Sequence, residues 1–595
     1  MSIQQSNLAQ SKYGYDTVVA ITQKALNNAI ETYYTDAKKP DTLQPIFTPV
    51  SLYYVKDSSG NPVAIAKADL LKLTGNADPL SLNLSAAQIK TISSSAFYFA
   101  YNFTIGNPTG DGTISYITLH PGSDTVSYSL LCKNLQVAFW NPDKSSWVSI
   151  KQTLLQEFNL KATVKVKTIL DNTNLSPAVQ AAVDSLGDTV VDVQKLIFDL
   201  DSAAIDLTST LTSLDSTCSV FAPMMQQFAS DYFSTYASQN SGALNYAVTQ
   251  KNSASLAPTG LEWYIGAPVD AYGNPILKNE TVVLKGGVPM IVFTPETMDQ
   301  QDLSTLNYLF SVNGNALPAA AQFNWNWLED NGTSHNPDVD TNADINKFAG
   351  AISIKRDAFA RYLQSQLDSY VARNLWVPSI YTGTSGYDDE FGIEFAQAPM
   401  PQNVFQPFNA ATIATTGYDE LLRYSYDYNS GNVAGYYADG DYMNVVCSFY
   451  LSVRIDRDKA MPAPYQTLII DQGITFAIQS QMTAEDYGTQ FYQGSPVSKT
   501  FTDVFTILAG DDGAISFANS KTSHYDFSSP IDLPGNVIGQ INEYIQGLTA
   551  GNFTQVPVTL PKQFVFPGGN AFLFKDTQFS NNSDLVCHIS YAATS

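Results

Sequence analysis

Little in this sequence is charged. Lys, Arg, Asp and Glu make up 14% of its 595 residues, against roughly 25% in ordinary soluble domains. What charge there is leans one way: 31 basic residues face 55 acidic ones, a net charge of −24. So acidic a chain has too few cations for the phosphates that drive nucleic-acid binding, which disfavours nucleic acid as a partner and nonspecific adhesion to anionic membranes. No apolar run approaches the ~20 residues of a spanning helix, so no integral membrane span is expected. Cysteine is scarce too. Cys132, Cys218, Cys447 and Cys587 stand far apart, with no C-x-x-C pair, which argues against a zinc site or a disulfide framework and for buried thiols.

Catalytic chemistry is equally thin. The four histidines, His120, His335, His524 and His588, are scattered, and there is no G-x-S-x-G elbow, P-loop or H-E-x-x-H. No catalytic residue or cofactor is assigned, and a non-enzymatic protein is expected. Phe323-Asn324-Trp325-Asn326-Trp327 could line a sugar cleft, but a strand with its three large rings packed on one face is the better reading. Asp338-x-Asp340-x-Asn342-x-Asp344 has the alternate oxygens of a calcium loop, yet Ala343 and Ala349 stand where Gly and Glu are needed. A solvated loop is preferred and no metal is assigned. Asp388-Asp389-Glu390, Asp439-Gly440-Asp441 and Asp511-Asp512-Gly513 read as turns. Met1 to Lys12 lacks the basic and apolar regions of a Sec signal peptide. Cytoplasmic synthesis, with release by a non-classical route, is the expectation.

Aromatics are plentiful, at 34 Tyr and 32 Phe. Tyr15 to Tyr34 reads as a helix with Asp16 as its N-cap; Val18, Ile21, Ala25 and Ala29 form one ridge and Val19, Leu26 and Ile30 the next. Further helices are predicted from Ser176 to about Ile197, from Phe221 to Tyr236, from Asp357 to Leu375, and from Asn536 to Leu548. Phe97 to Ile105 alternates as a strand. Strands follow around Thr113–Leu119, Asp124–Trp140, Asn159–Leu170, Tyr246–Leu328 and Ile380–Phe527. Phe564-Val565-Phe566 and Phe572-Leu573-Phe574 read as a hairpin, and Leu585 to Tyr591 as a terminal strand. Short polar turns between successive strands imply antiparallel order. Strands in runs, set between isolated helices, give the α+β class.

Striped helices beside aromatic strands suggest curved antiparallel sheets wrapped around long amphipathic helices, and such a tube can leave a dry apolar gap. The face Phe359, Leu363, Leu367 and Val371 is the candidate ligand-binding surface in the C-terminal part, and Met224, Met225 and Phe228 in the N-terminal part. The division expected is a lobe over 1–240, a central antiparallel sheet region over 241–350 and a second lobe over 351–595.

Three stretches together carry a resemblance: Tyr13-Gly14-Tyr15-Asp16-Thr17-Val18; Leu306-Asn307-Tyr308-Leu309 through Phe323 to Trp327; and Phe564 to Gly569 through Asp584-Leu585 to Tyr591. In this order they resemble the clostridial 47-kilodalton protein family and, more distantly, its OrfX companions, members of the tubular lipid-binding (TULIP) superfamily with relatives in insect-associated bacteria. Tyr15 stands where the opening motif of the family has Trp. The resemblance implies a two-lobed TULIP-like super-roll, binding of a lipid or other apolar small molecule, and an accessory role beside a toxin or a sister accessory protein, as in an insecticidal complex. An assembly protein with a filled core is the alternative, and a glycan-binding or glycan-active protein the third.

Overall fold

A computed structural model describes residues 2–35, 48–106, 115–151, 161–170, 191–205, 218–240, 243–250, 258–284, 288–312, 315–329, 344–385, 388–436, 439–457, 465–484, 488–509, 515–528, 564–565 and 572–591. The predicted helix over Asn536–Leu548, most of the one from Ser176, the first part of the Asp338–Asp344 loop and Asp511–Gly513 lie outside these residues. The fold is sheet-rich α+β. Its strand ladders are antiparallel and their strand orders open, so among the described residues no sheet closes around a helix.

At the centre is a six-stranded sheet in the order Pro258–Gly266, Thr305–Val312, Thr17–Thr22, Gly350–Ile354, Leu585–Tyr591 and Phe572–Phe579. It draws strands from near both ends of the sequence and from the middle. Thr17–Thr22 is paired on both sides, Val19 standing opposite Tyr308 on one neighbour and Ile352 on the other. This corrects the helix predicted from Tyr15. Three of the six residues, Val18, Val19 and Ile21, are β-branched aliphatics, flanked by Thr17 and Thr22, and such side chains favour a pleated strand. All six are buried, so the segment shows neither the alternation of a half-exposed strand nor a solvent face. Helix α1 begins only at Gln23 and runs to Thr35. Its cap is Thr22, whose Oγ1 accepts the Ala25 N–H at 3.2 Å. Asp16 instead accepts from Val312 N and Asn315 Nδ2, both at 2.9 Å.

Side chains of the central strands alternate between two cores. Val18, Ala20, Leu309, Ala351 and Val586 face a cluster with Tyr13, Tyr15, Phe323, Trp325 and Trp327. Val19, Ile21, Tyr308, Phe310, Ile352 and Cys587 face the main core. Parts of all three stretches of the family resemblance therefore meet at this sheet: Tyr13 to Val18, Leu306 to Leu309 with Phe323 to Trp327, and Leu585 to Tyr591. The Tyr13 ring lies 4.9 Å from Phe323 and 5.1 Å from Trp325. Gly14 between the tyrosines has φ +67°, and a Cβ there would meet Pro318 at 3.3 Å, so glycine is required. Phe323 to Trp327 is irregular chain, not the expected strand, because the Tyr13 and Tyr15 hydroxyls bond its backbone and that of Ala321 in place of a ladder.

Two sheets flank helix α2, Phe221–Asn240. One has the order Pro62–Ala64, Val50–Lys56, Phe97–Phe103, Gln136–Asn141, Ser146–Lys151. The other runs Phe564–Val565, Ala243–Gln250, Val191–Ile205, Lys161–Leu170, Thr125–Ser129, Ile117–Leu119. Two expectations fail here. Val193 and Ile197 lie in a strand rather than a helix. Phe564–Val565 pairs with Ala243–Gln250, and Phe572–Phe579 forms its hairpin with Leu585–Tyr591; pairing across the chain overrides the local turn signal. The edge strand Ile117–Leu119 is covered by α1. Gln23 Oε1 accepts from Leu119 N at 2.7 Å, and Asn27 exchanges bonds of 2.8 and 3.1 Å with Ile117, which removes an open edge.

Helix α3, Arg356–Arg373, lies against a seven-stranded sheet. Six strands form its path: Asn403–Phe405, Tyr418–Asn429, Tyr442–Asp456, Thr467–Ala484, Gly488–Ala509 and Ile515–Ser528, with Val433–Ala434 beside the third. The hairpin Trp376–Ser385 with Asp388–Gln397 follows α3, so Asp388 to Glu390 are strand residues and not a turn. Asp439-Gly440 does form a turn. The four cysteines are free and buried.

A buried polar node ties α3 to the central sheet. Asp584 is fully buried and accepts from Leu8 N (2.7 Å), Ser6 Oγ (2.9 Å) and Arg356 N (3.2 Å). The Arg356 guanidinium donates to Asp419 at 3.2 Å and to the Glu420 carbonyl at 2.6 Å. Ser583 also donates to Asp419, and Arg457 donates to Ser583 Oγ at 2.6 Å and Ser580 O at 2.8 Å.

Two outcomes test this arrangement. Ala20 lies off both ridges of the predicted helix but is fully buried against the aromatic core. Ala20→Asp is expected to cost at least ~3 kcal/mol or abolish folding in urea titrations, and a cost under ~0.5 kcal/mol would return the segment to an exposed helix face. Burial outweighs the donors around Asp584 and pushes its carboxyl up to about 6. The folded state thus holds this proton more tightly than the unfolded chain. Its contribution to stability is greatest below the ordinary carboxylate range and is lost as pH rises through about 6. Relative to Asp584→Asn, the parent protein is expected to lose roughly 2 kcal/mol between about pH 4 and 7.

Candidate functional site

The inner face of the seven-stranded sheet is an apolar lattice. In Thr467–Ala484 the buried row is Leu468, Ile470, Gln472, Ile474, Phe476, Ile478 and Ser480, with Gln472 the polar member among the large side chains. In Tyr442–Asp456 the matching row is Met443, Val445, Cys447, Phe449, Leu451, Val453 and Ile455. The register sets Gln472 between Leu451 and Phe501. Helix α3 covers this face, held on the strand Tyr418–Asn429 by a 2.5 Å bond from Tyr424 Oη to Asp368. Beside the C-terminal turn of α3 the packing opens into a small cleft, open to solvent and lined by Tyr370, Asn374, Phe449, Gln472, Gly473, Ile474 and Phe501.

Tyr370 and Asn374 are one helical turn apart and so share a face. Tyr370 Oη donates to Gln472 Oε1 at 2.7 Å, answering a polar group set among large apolar side chains. Burial, with Asp503 nearby, holds the Tyr370 hydroxyl above the ordinary phenol range, so it stays a neutral donor. Asn374 caps α3 through its Nδ2–H, which donates to Tyr370 O at 2.7 Å. At Gly473 the wall is thin: a Cβ there would run into the Tyr450 ring, which lies across the glycine on the outer side of the sheet. Walls of Phe449, Ile474 and Phe501 with a polar end can hold a small apolar group; nothing in this lining is a nucleophile beside a base.

The residues predicted as ligand-binding lie next to this cleft or away from it. Phe359, Leu363, Leu367 and Val371 are buried on α3, and Phe359 packs on Phe579 and Phe517 with ring centroids 5.7 and 6.2 Å apart. None of the four lines the cleft, which uses the adjacent ridge of the same helix. Met224, Met225 and Phe228 are buried on α2. Phe228 lies 5.1 Å from Phe103 and 5.4 Å from Tyr101. Asp231, on the same helix, accepts from both Tyr54 and Tyr101. Gln472 and Gly473 escaped the sequence reading; a Gln in phase with an apolar row was the available signal. Phe323, Trp325 and Trp327 are at most 3% exposed, which removes them as a platform for a sugar. His120 bonds Ser127 Oγ through Nε2 at 2.8 Å, and His588 stacks on Phe348 at 4.4 Å. Among the described residues no group of three or more His, Cys, Asp or Glu is placed to hold a metal ion, and no helix is long and apolar enough to cross a membrane.

No family model and no curated protein sequence matches the chain. Among solved structures it is similar to P47 from Clostridium botulinum A2, at 10% identity, covering 97% of this chain and 98% of that one with a TM-score of 0.39. It is also similar to a lipopolysaccharide binding protein, at 11% identity, 97% and 99% coverage and a TM-score of 0.27. At such scores the fold rests on the strands and helices described above.

Tyr370→Phe removes the donor to Gln472 and is expected to lower stability by about 1 kcal/mol in chemical denaturation. An unchanged midpoint would mean that the pair is not formed in solution.

Proposed function

We propose that the chain is a non-enzymatic binder of a small apolar ligand, or of the apolar part of a lipid, at the cleft between α3 and the seven-stranded sheet. The observation that carries this is the break in an otherwise filled core: apolar walls from Phe449, Ile474 and Phe501 beside polar Gln472 and Asn374. Such a mixture of apolar lining and few polar groups is the usual make-up of a small-molecule site. The cleft is small and open to solvent, so it admits only the tip of a ligand, with the rest of the molecule outside. An accessory role beside a toxin or a sister protein is part of the proposal and rests on the motif resemblance alone.

The assembly reading has its own support in the α2 region, where ring contacts from Phe103, Tyr101, Tyr128 and Phe233 fill the space around Phe228 and Tyr232. If binding is confined to α3, the α2 region supplies only framework.

Native mass spectrometry of protein from several expression hosts, with organic extraction, tests the proposal. The parent protein is expected to carry an apolar molecule. Phe501→Trp, at the half-buried rim, is expected to expel it with little change in melting temperature. Leu363→Trp, in close-packed core, is expected to cost ~1–3 kcal/mol through strain. An empty parent protein from every host, or unchanged cargo in Phe501→Trp, would favour the assembly reading.

A further inference from the structure

Far from the cleft, His588 is an imidazole shut in without a neutral partner. It lies in the strand Leu585–Tyr591 of the central sheet, on the same face as Val586, and is 6% exposed. The Phe348 ring stacks on it, with centroids 4.4 Å and planes 13° apart. Among the described residues neither ring nitrogen has a hydrogen-bond partner, and solvent reaches neither. A neutral imidazole carries one N–H and one lone pair, so here it leaves both unanswered, which is costly.

Carboxylates stand nearby instead. Asp576 Oδ2 lies 3.5 Å from His588 Nδ1. It belongs to the edge strand Phe572–Phe579, where the register against Leu585–Tyr591 shifts, and its backbone is left-handed at φ +49°. Asp344 opens the short helix Asp344–Lys347 that leads to Phe348. Burial holds the Asp344 carboxyl above its ordinary range, and His588 draws it down more strongly than Lys347 does, while Glu329 pushes it up. On the other flank, the strand Gly350–Ile354 sets Ala351 opposite His588 and has no ionisable residue. Lys575 is the register partner of His588 on the edge strand, and Lys347 is exposed at the end of the short helix. Asp584, at the head of the same strand, is engaged with Leu8, Ser6 and Arg356. Protonation turns both ring nitrogens into donors and gives Asp576 and Asp344 a shared counter-charge.

We propose that His588 is a proton-operated clamp: as imidazolium it holds Asp576 of the edge strand and Asp344 of the short helix against the central sheet, and as neutral imidazole it releases both. The clamp works between about pH 5 and 8, where imidazole changes charge. Its contribution is present in acid and is lost as pH rises through that range, the reverse of an ordinary carboxylate pair. The edge of the central sheet is therefore tighter in an acidic medium than in a neutral one.

Two measurements on the full-length protein test this. In NMR titrations with isotope-labelled histidine, the His588 resonance is assigned by its loss in His588→Gln. Its midpoint is expected to fall by at least ~0.5 pH unit in Asp576→Asn and in Asp344→Asn; asparagine also keeps the left-handed backbone at 576. In hydrogen exchange, the protection of the Phe572–Phe579 amides is expected to rise from pH 8 to pH 6 by at least ~3-fold more in the parent than in His588→Gln, the equivalent of that shift. Asp584 is present in both proteins, so its own titration cancels. A midpoint that neither asparagine variant moves, or edge-strand protection with the same pH dependence in parent and His588→Gln, overturns the clamp. Should His588→Gln fail to fold, Phe348→Leu assigns the resonance by removing the stacked ring, and the midpoint in Asp576→Asn, at an exposed position, decides alone.

Discussion

Burial of the central sheet on both faces is the constraint on which the rest of the structure depends. A sheet with one wet face tolerates polar substitutions at alternate positions, but here each inner strand feeds two cores. Val18 and Ala20 are held under the Tyr13–Trp325 cluster, and Val19 and Ile21 lie in the main core. Its strands come from near both ends and the middle of the chain, so loop-closure entropy must be met before any of these contacts forms. The polar node at Asp584 stands at this junction. It joins the N-terminal segment through Ser6 and Leu8, the start of α3 through Arg356, and the seven-stranded sheet through Asp419. Charges so buried are costly unless every partner is in place, which makes the node sensitive to register.

The two long helices are docked by the same chemistry. Each carries an aspartate that accepts tyrosine hydroxyls from the sheet beneath: Asp231 from Tyr54 and Tyr101, Asp368 from Tyr424. A phenol reaches across a helix–sheet spacing that shorter polar side chains cannot bridge, and its ring adds apolar area along the way. The high Tyr content of the chain follows in part from this use. Where the helix faces differ is in what lies beyond the aspartate. Around α2 the rings of Tyr128 and Phe233 continue the packing. Around α3 the last turn presents Tyr370 and Asn374 to Gln472, and a cleft remains.

Much of the organisation was legible in the residues. The stripe Phe359, Leu363, Leu367 and Val371 marked α3, and Phe221 to Tyr236 marked α2, because a long helix with one buried face repeats every 3.6 residues. Phe97–Phe103, Leu585–Tyr591 and the four thiols were found for similarly local reasons: alternation, and isolation from any ligand partner. Thr17–Thr22 was misread because a short, fully buried strand has no period to read, and only its β-branched content argues against a helix. Val193 and Ile197 were misread because their spacing of four fits a helix, whereas pairing with Ala243–Gln250 and Lys161–Leu170 makes Val191–Ile205 a strand. The partner of Phe564–Val565 could not have been read at all, since it lies more than three hundred residues away in the sequence, opposite Tyr246 and Ala247.

By itself the sequence determined the class, the acidic surface, the two long helices and the scarcity of catalytic groups, because composition and periodicity act within a few turns of chain. Only the tertiary structure decided which strands pair, that the aromatic motifs near Tyr13 and Trp325 form a cap on the central sheet, and that the candidate site uses Tyr370 and Asn374 rather than the neighbouring apolar ridge. The physical reason is the same in each case. A cleft is a place where two surfaces fail to meet, and Gln472 becomes a cleft residue only when a helix about a hundred residues earlier, carrying Tyr370, is laid across its strand.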